Sequence, residues 1–366
     1  MFTNTYLPHV GGVARLVRVT RDVLRSRGHR VTIVAPMYDT PSDDEDDVLR
    51  VPAINARDGF ALPIALPQLA AVVAPTVLGA TVVHVHHPTL LAQVGRTLAR
   101  ALRKPIVYTY HTMYEHYAHL LRPLNTDATG MVLVSQAAMF CDTCTVVIAP
   151  STDVAAMLKS RGVKSAVVVA ASGIDVGKFA RGDRAAARQR YGIPLDRFPV
   201  VGCCCRLSKE KNLPVLADAA RAYPELTFLI VGDGPERDTI EGMPNVVLTG
   251  SLSGQELVDA YHAMDVFASP SISEVLPLTL MEALAAGVPL IGIRSSGAND
   301  IIKDGVNGIL TYGADEFVRR IPEAARYRSG AFSSVMPYTL DRYGERLEKV
   351  YRIAKALNGL RPRAFR

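Results

Sequence analysis

Arg206 and Lys211 stand five positions apart in GCCCRLSKEKN (202–212), directly after the apolar run PVVGCCC (199–205). A run of that kind reads as a buried strand, and ligands in open parallel sheets gather beyond strand ends. A guanidinium fork and an ammonium placed there can hold the two phosphates of a diphosphate through charge-assisted hydrogen bonds, each worth about 1.5–3 kcal/mol. By themselves two basic residues are more often part of a solvated surface loop. EVLPLTLME (274–282) shifts the balance. If Glu274 lies in the loop before a helix, Glu282 falls about two turns along and points to the same side. Carboxylates accept hydroxyl donors, so one could grip a sugar and the other a ribose. The helix start offers unpaired backbone N–H groups to a phosphate. Pro277 has none, which leaves the amides of Leu276, Leu278 and Thr279. The apolar setting of both glutamates argues against plain solvated charge.

The first half offers less. Gly11-Gly12-Val13 leads into a helical stretch, and glycines let backbone approach a phosphate closely. His111 ends the apolar run PIVYTYH (105–111), where residues facing a cleft belong, and it could meet a transferred sugar or an acceptor; a satisfied core histidine fits the same position equally well. His84, His86 and His87 end the neighbouring run, but no carboxylate accompanies them, so no metal site is assigned. The acidic run 43–47 lies in a polar loop and reads as solvated charge. GDGPER (232–237) carries two of the three glycines of a dinucleotide fingerprint and has Arg237 in place of the third, which removes the main support for a dehydrogenase.

These residues need strands and helices to hold them. VTIVAP (31–36), TVVHVHH (81–87), PIVYTYH, TVVIAPS (145–151) and AVVVAA (166–171) read as buried parallel strands, with helical spacing over 13–27, 90–102 and 152–161. A second series follows: PVVGCCC, LTFLIVG (226–232), NVVLTG (245–250), VFASPS (266–271) and VPLIGI (288–293), with helices starting near Asn212, Ser253, Thr279 and Asp315. Such alternation predicts an α/β protein of two doubly wound, Rossmann-like domains. The expected division is 1–178, 179–337, and a last helix and tail over 338–366 that crosses back to the first domain. A glycine- and charge-rich stretch, 173–198, marks the break. One feature departs from this pattern: a doubly wound domain opens with a strand, yet only Met1–Tyr6 precede the Leu7-Pro8 turn. Either that strand is very short, or the chain starts late relative to its relatives.

At 366 residues, 49% apolar and 21% charged, the chain has the balance of a globular protein with a sizeable core. The most apolar stretch, 60–83, is interrupted by Pro63, Pro67 and Pro75 and is not read as a membrane span. The opening residues lack a secretion signal, so a cytoplasmic protein is expected. The five cysteines agree: Cys203, Cys204 and Cys205 are consecutive, and Cys141 and Cys144 read as small buried thiols. The net charge of +6 is uneven, with 17 basic and 13 acidic residues over 1–178, 16 and 19 over 179–337, and 8 and 3 over 338–366. That sidedness suits an anionic membrane or an anionic substrate. No nucleic-acid partner is indicated.

GCCCRLSKEKNL, IVGDGPER, the long segment 246–292 and DGVNGIL (304–310) occur in the order and spacing of family 4 retaining glycosyltransferases of the GT-B fold, which the chain resembles over nearly its whole length. The resemblance implies two domains facing a cleft, with Arg206 and Lys211 on the donor diphosphate. It also implies Glu274 on hydroxyls of the transferred sugar, Glu282 on the ribose, Gly12 beside the phosphates and His111 near the sugar. It implies catalysis without a metal or other cofactor, the donor being a nucleotide sugar, with UDP-glucose the first choice over GDP-mannose and UDP-galactose. TYHTMYEHYAHLLRPL (109–124) and FTNTYLPHVGGV resemble diacylglycerol glucosyltransferases, which implies a lipid or glycan acceptor and peripheral association with the inner face of an anionic membrane. Arg15, Arg18, Arg21 and Arg25, spaced for one helix face, fit that expectation. One departure is Cys205, where a glycine usually precedes the Arg. Two other readings stay open on this fold: a nucleotide-sugar 2-epimerase, which needs acid–base carboxylates where the first 178 residues have Glu45 and Glu115 as their only glutamates, and a non-catalytic nucleotide-sugar-binding protein.

Overall fold

The computed structural model describes residues 1–9, 11–39, 46–55, 61–64, 68–113 and 127–360. The chain forms two compact units, one of Met1–Ser172 with Asp341–Arg366 and the other of Gly173–Leu340.

The first unit holds β1 (Ile33–Pro36), β2 (Val48–Val51), β3 (Ala53–Asn55), β4 (Ala61–Pro63), β5 (Val83–Val85), β6 (Ile106–Thr109), β7 (Val146–Ala149) and β8 (Ala166–Val169). β1 pairs with β2, and β5-β6-β7-β8 follow in that order, all parallel. β3 and β4 form a separate antiparallel pair. β1, β5, β6 and β7 are buried along their whole length, as Val- and Ile-rich strands covered on both faces must be. The opening strand is present at its minimum. Phe2 bridges Val34 and Val85 at once, with Phe2 N–H donating to His84 O (2.8 Å) and His86 N–H to Phe2 O (2.9 Å). This one residue joins the two groups of strands in the centre of the sheet, so the sequence order doubles back there.

The last helix, Leu340–Leu360, closes onto this unit. Tyr343 meets Thr20 at 2.7 Å, and Glu348 takes both Nε and Nη2 of Arg27, at 3.0 and 2.9 Å. The expected arginine face of the helix Gly12–Ser26 is not a free basic stripe. Arg21 is 3% exposed and donates to the Tyr6 hydroxyl, while Arg18 pairs with Asp22 and Arg25 with Asp47. At 100° per residue these positions spread over about a third of the helix circumference, and one edge of that arc turns inward.

The second unit is a six-stranded parallel sheet of β9 (Val200–Cys204), β10 (Thr227–Val231), β11 (Val246–Leu248), β12 (Val266–Ser269), β13 (Leu290–Ile293) and β14 (Gly308–Thr311), in the order β11-β10-β9-β12-β13-β14. The direction of winding reverses between β9 and β12, where Val201 lies opposite Val266 and Gly202 opposite Phe267. Alternate residues feed the two faces: Leu229 and Val231 pack with Tyr261 and Met281, while Phe228 and Ile230 pack with Leu216 and Phe317. Residues 173–198, where the break was expected, begin at the division between the units and belong to the second. They form the helices Val176–Phe179 and Arg184–Arg190, each capped by the aspartate before it, Asp175 or Asp183. Arg188 then fixes the second helix to the sheet through Asp265, at 2.5 Å and with both side chains fully buried. The glycines and charges that look like a linker in sequence are the turns and caps of two short helices. No helix of the described residues is long and apolar enough to cross a membrane.

Candidate functional site

The reversal point of a doubly wound sheet leaves a crevice beyond the strand ends, because the connections on either side leave in opposite directions. In the second unit the loops after β9 and β12 open there. The loop after β9 is held by backbone bonds to the loop after β10: Cys205 N–H to Val231 O (3.0 Å), Leu207 N–H to Asp233 O (3.0 Å) and Glu236 N–H to Leu207 O (2.9 Å). This contact requires Gly232, whose φ is +134° and whose added Cβ would strike the Cys205 carbonyl. The GDGPER segment thus props up the loop that carries Arg206, which is exposed. Cys203 and Cys205 lie on one side of the chain with their sulfurs 3.8 Å apart.

A tight turn, Lys209–Lys211, ends at Asn212 in the left-handed region (φ 57°), and the helix Leu213–Ala222 begins directly after it. Side chains stitch this turn to the loop after β12. Asn212 Nδ2 donates to Pro270 O (3.4 Å), and Ser271 and Ser273 hydroxyls donate to Glu210 O (3.2 and 3.4 Å). Between the stitched loops the Lys211 ammonium and the Glu274 carboxylate form an ion pair, each about one fifth exposed. Glu274 O accepts from Gly297 N–H at 2.8 Å. A side chain at 297 would come within 2.9 Å of Leu276 N, so only glycine lets the loop after β13 lie this close.

The helix Leu278–Ala285 follows, with Pro277 at its N-cap and no side-chain cap. Its first-turn amides, those of Leu278 and Thr279 among them, have no acceptor within the helix. Leu276, Leu278 and Thr279 are half-buried. Glu282 is oriented differently from expectation: it is fully buried, and the Tyr261 hydroxyl donates to it at 2.7 Å. The same helix feeds Leu280, Met281, Ala283 and Leu284 into the core of this unit.

In the first unit Gly12 is the first residue of the helix Gly12–Ser26 and is exposed, with open space where a side chain would stand. His111 follows β6, half-buried, its Nε2 2.9 Å from His86 Nδ1. The residues thus fall into two groups: Arg206, Lys211 and Glu274 on adjoining loops of the second unit, Gly12 and His111 in the first. Cys141 and Cys144 are buried, Cys144 Sγ donating to Phe140 O, and burial pushes the Cys141 thiol up to about 12, as inert packing residues would be. Among the described residues no cluster of His, Cys, Asp or Glu could hold a metal ion. Residues 43–45, most of TYHTMYEHYAHLLRPL (114–124) and Glu115 lie outside the described residues. The sequence reading missed the serine and asparagine stitching and the partner of His111. The first had no signal; the second had one, the alternation of His84 and His86 along a strand end.

Comparison with known proteins agrees with this architecture. Glycosyltransferase Family 4 matches residues 10–178, and Glycosyl transferases group 1 matches residues 198–326. A GDP-mannose-dependent alpha-mannosyltransferase of Corynebacterium glutamicum is 30% identical over 335 residues, covering 88% of this chain and 78% of the relative. An alpha-monoglucosyldiacylglycerol synthase of Streptococcus pneumoniae is 29% identical over 350 residues, covering 88% and 77%. The crystal structure of Anabaena Alr3699/HepE, in complex with UDP and glucose, superposes with a TM-score of 0.72 at 21% identity, covering 96% of this chain and 98% of that one. The two doubly wound units are those of a GT-B glycosyltransferase. The chain belongs to the family 4 glycosyltransferases.

Proposed function

We propose that the chain is a retaining, metal-independent hexosyltransferase that moves a sugar from a nucleotide-diphosphate donor to a hydroxyl of a membrane lipid. The observation that carries the donor half is the ion pair of Lys211 with Glu274 across two stitched loops at the reversal point of the sheet, with Arg206 exposed on the first of those loops. In this reading Arg206 and Lys211 bind the diphosphate, aided by the amides that open the helix Leu278–Ala285, and Glu274 accepts from sugar hydroxyls. The acceptor oxygen attacks the anomeric carbon on the face from which the diphosphate departs. The bond to the leaving phosphate oxygen breaks, and that oxygen takes the acceptor's proton. No protein base is needed, and the burden falls on fixed charges around the leaving group.

A lipid acceptor is supported by the glucosyldiacylglycerol-forming relative and by the helix Leu69–Gly79. This helix has no charged residue, and its outer side shows Ala70, Ala71, Val72, Pro75 and Leu78, with Val72 51% and Leu78 62% exposed. Such a face gains by entering the headgroup boundary of a bilayer. The arginines of the helix Gly12–Ser26 add less, since Arg21 is buried and Arg18 and Arg25 are paired with Asp22 and Asp47. The reading keeps UDP-glucose as first donor, with GDP-mannose second because the mannosyltransferase relative uses it.

Thermal shift against a panel of nucleotide sugars, followed by transfer to vesicles of phosphatidylglycerol containing diacylglycerol, tests the reading. The cognate donor raises the melting temperature with its concentration, since ligand binding stabilises by RT ln(1 + [L]/Kd). Transfer to water-soluble acceptors at equal rate, without vesicle binding, would sink the lipid acceptor.

A further inference from the structure

The ends of β5 and β6 carry an array of imidazoles of which only His111 has been given a place near the sugar. His84 lies opposite Val107 in the parallel pair. Side chains alternate along strands, so His84, His86, Thr109 and His111 share one side of the sheet. His84 Nε2 meets Thr109 Oγ1 at 2.7 Å, and its Nδ1 meets the Tyr351 hydroxyl at 2.8 Å. Two positions further along both strands, His86 Nδ1 faces His111 Nε2 at 2.9 Å, their rings stacked with centroids 5.2 Å apart. His86 is 1% exposed, whereas His111 is half-buried.

Burial holds these rings neutral, with the neighbouring imidazoles adding to the effect on His86 and His111. Each ring then carries one proton, and a contact of 2.9 Å needs that proton on one of the two facing nitrogens. If His111 Nε2 donates, His86 must keep its proton on Nε2. That atom is buried and has no hydrogen-bond partner among the described residues. A buried N–H without an acceptor is the rarer defect in folded proteins. If His86 Nδ1 donates instead, the unpartnered atom is a bare ring nitrogen, and His111 carries its proton on Nδ1.

We infer that His86 is a positioning residue: its Nδ1–H fixes His111 in the Nδ1-protonated tautomer, so that His111 meets substrate as a hydrogen-bond donor and not as a base. The functional half of this statement rests on the reading of His111 as a substrate contact. A donor there suits a sugar or acceptor hydroxyl oxygen, and it leaves the acceptor's proton to the departing phosphate.

Long-range proton–nitrogen correlation spectra of the protein labelled with ring-15N histidine, without substrate, read the tautomer directly, with His111→Phe and His86→Phe supplying assignments. The expected spectrum has both rings protonated on Nδ1. Protonation of His111 on Nε2 overturns the inference, and this arm stands even if a His86 variant fails to fold. In activity, His86→Phe should release His111 into the other tautomer and lower kcat about tenfold with donor KM within about twofold. His86→Asn, which keeps a donor near the Nδ1 position, should recover most of the loss. A folded His86→Phe with unchanged kcat and an unchanged His111 tautomer also overturns it. Full turnover by His111→Phe would instead remove the substrate contact while leaving the tautomer assignment intact.

Discussion

Lys211 and Glu274, sixty-three positions apart in sequence, are ion-paired to each other across the two loops that open at the sheet's reversal point. The residue read as a diphosphate ligand therefore orients the residue read as a sugar ligand. Lys211→Ala should lower kcat about 10²–10³-fold, the usual cost of removing one charged donor from developing negative charge. Glu274→Ala should also cost activity, and the double variant should lose less than the two effects combined, with a coupling of about 0.5–3 kcal/mol. Steady-state kinetics of the four proteins check this. Strict additivity would show that the pair is incidental.

Asp265 is the buried charge on which the second unit turns. Its two oxygens take Arg188 (2.5 Å), Arg184 (2.6 Å), Arg328 (3.2 Å) and the Val200 N–H (2.8 Å). Asp265→Ala leaves the fully buried Arg188 guanidinium without its counter-charge, and the loss should be about 3–5 kcal/mol. Urea unfolding checks it; a loss below about 1 kcal/mol, typical of exposed pairs, would contradict the assignment.

The buried imidazoles predict acid sensitivity near neutral pH. Burial lowers His84 to about 3 and His87 to about 4, and holds His86 and His111 well below their usual range. The unfolded chain takes up protons at these sites near pH 6.5, whereas the folded chain refuses them until far lower. Stability is therefore complete above pH 6.5 and falls as the pH drops toward 4. The slope should exceed about 1 kcal/mol per pH unit between pH 6 and 5, before carboxylates titrate. Urea midpoints over that range report it, and a flat profile would show that the rings are open to solvent. The same measurement on His86→Phe should give a shallower slope.

Leu78→Asp, on the outer side of the helix Leu69–Gly79, should weaken sedimentation with anionic vesicles while leaving the melting temperature within a few degrees, since the side chain is largely exposed. Unchanged sedimentation would move the membrane contact elsewhere.

Much of the architecture is legible from apolar runs alone. VVGCC, TFLIV and VFAS are strands because β-branched and small apolar residues between polar loops have no other way to be buried on both sides. β14 went unread because GILT is short and opens on glycine, and the opening strand stayed one of two alternatives because one residue, Phe2, does its pairing. At the site, Arg206, Lys211 and Glu274 are legible because charge beside a strand end is conspicuous. Their stitching by Asn212, Ser271 and Ser273 is not, since it depends on two loops 60 positions apart meeting. Glu282 and Arg21 show the converse: helical spacing tells which residues share a face, but not whether that face looks outward.

The first unit is built from two stretches that the whole of the second unit separates in sequence, and this sets a timetable for its maturation. Tyr343, Glu348 and Tyr351 close onto Thr20, Arg27 and His84 across separations of 323, 321 and 267 positions. A ribosome moving along the message delivers Gly173–Leu340 as an unbroken stretch, which can fold on its own schedule. The earlier stretch must wait, its helix-docking surface uncovered, until Leu340–Leu360 has been synthesised. A nascent chain stalled at residue 340 would thus carry a completed second unit and an unfinished first one, and chaperone capture is expected on the part that was synthesised first.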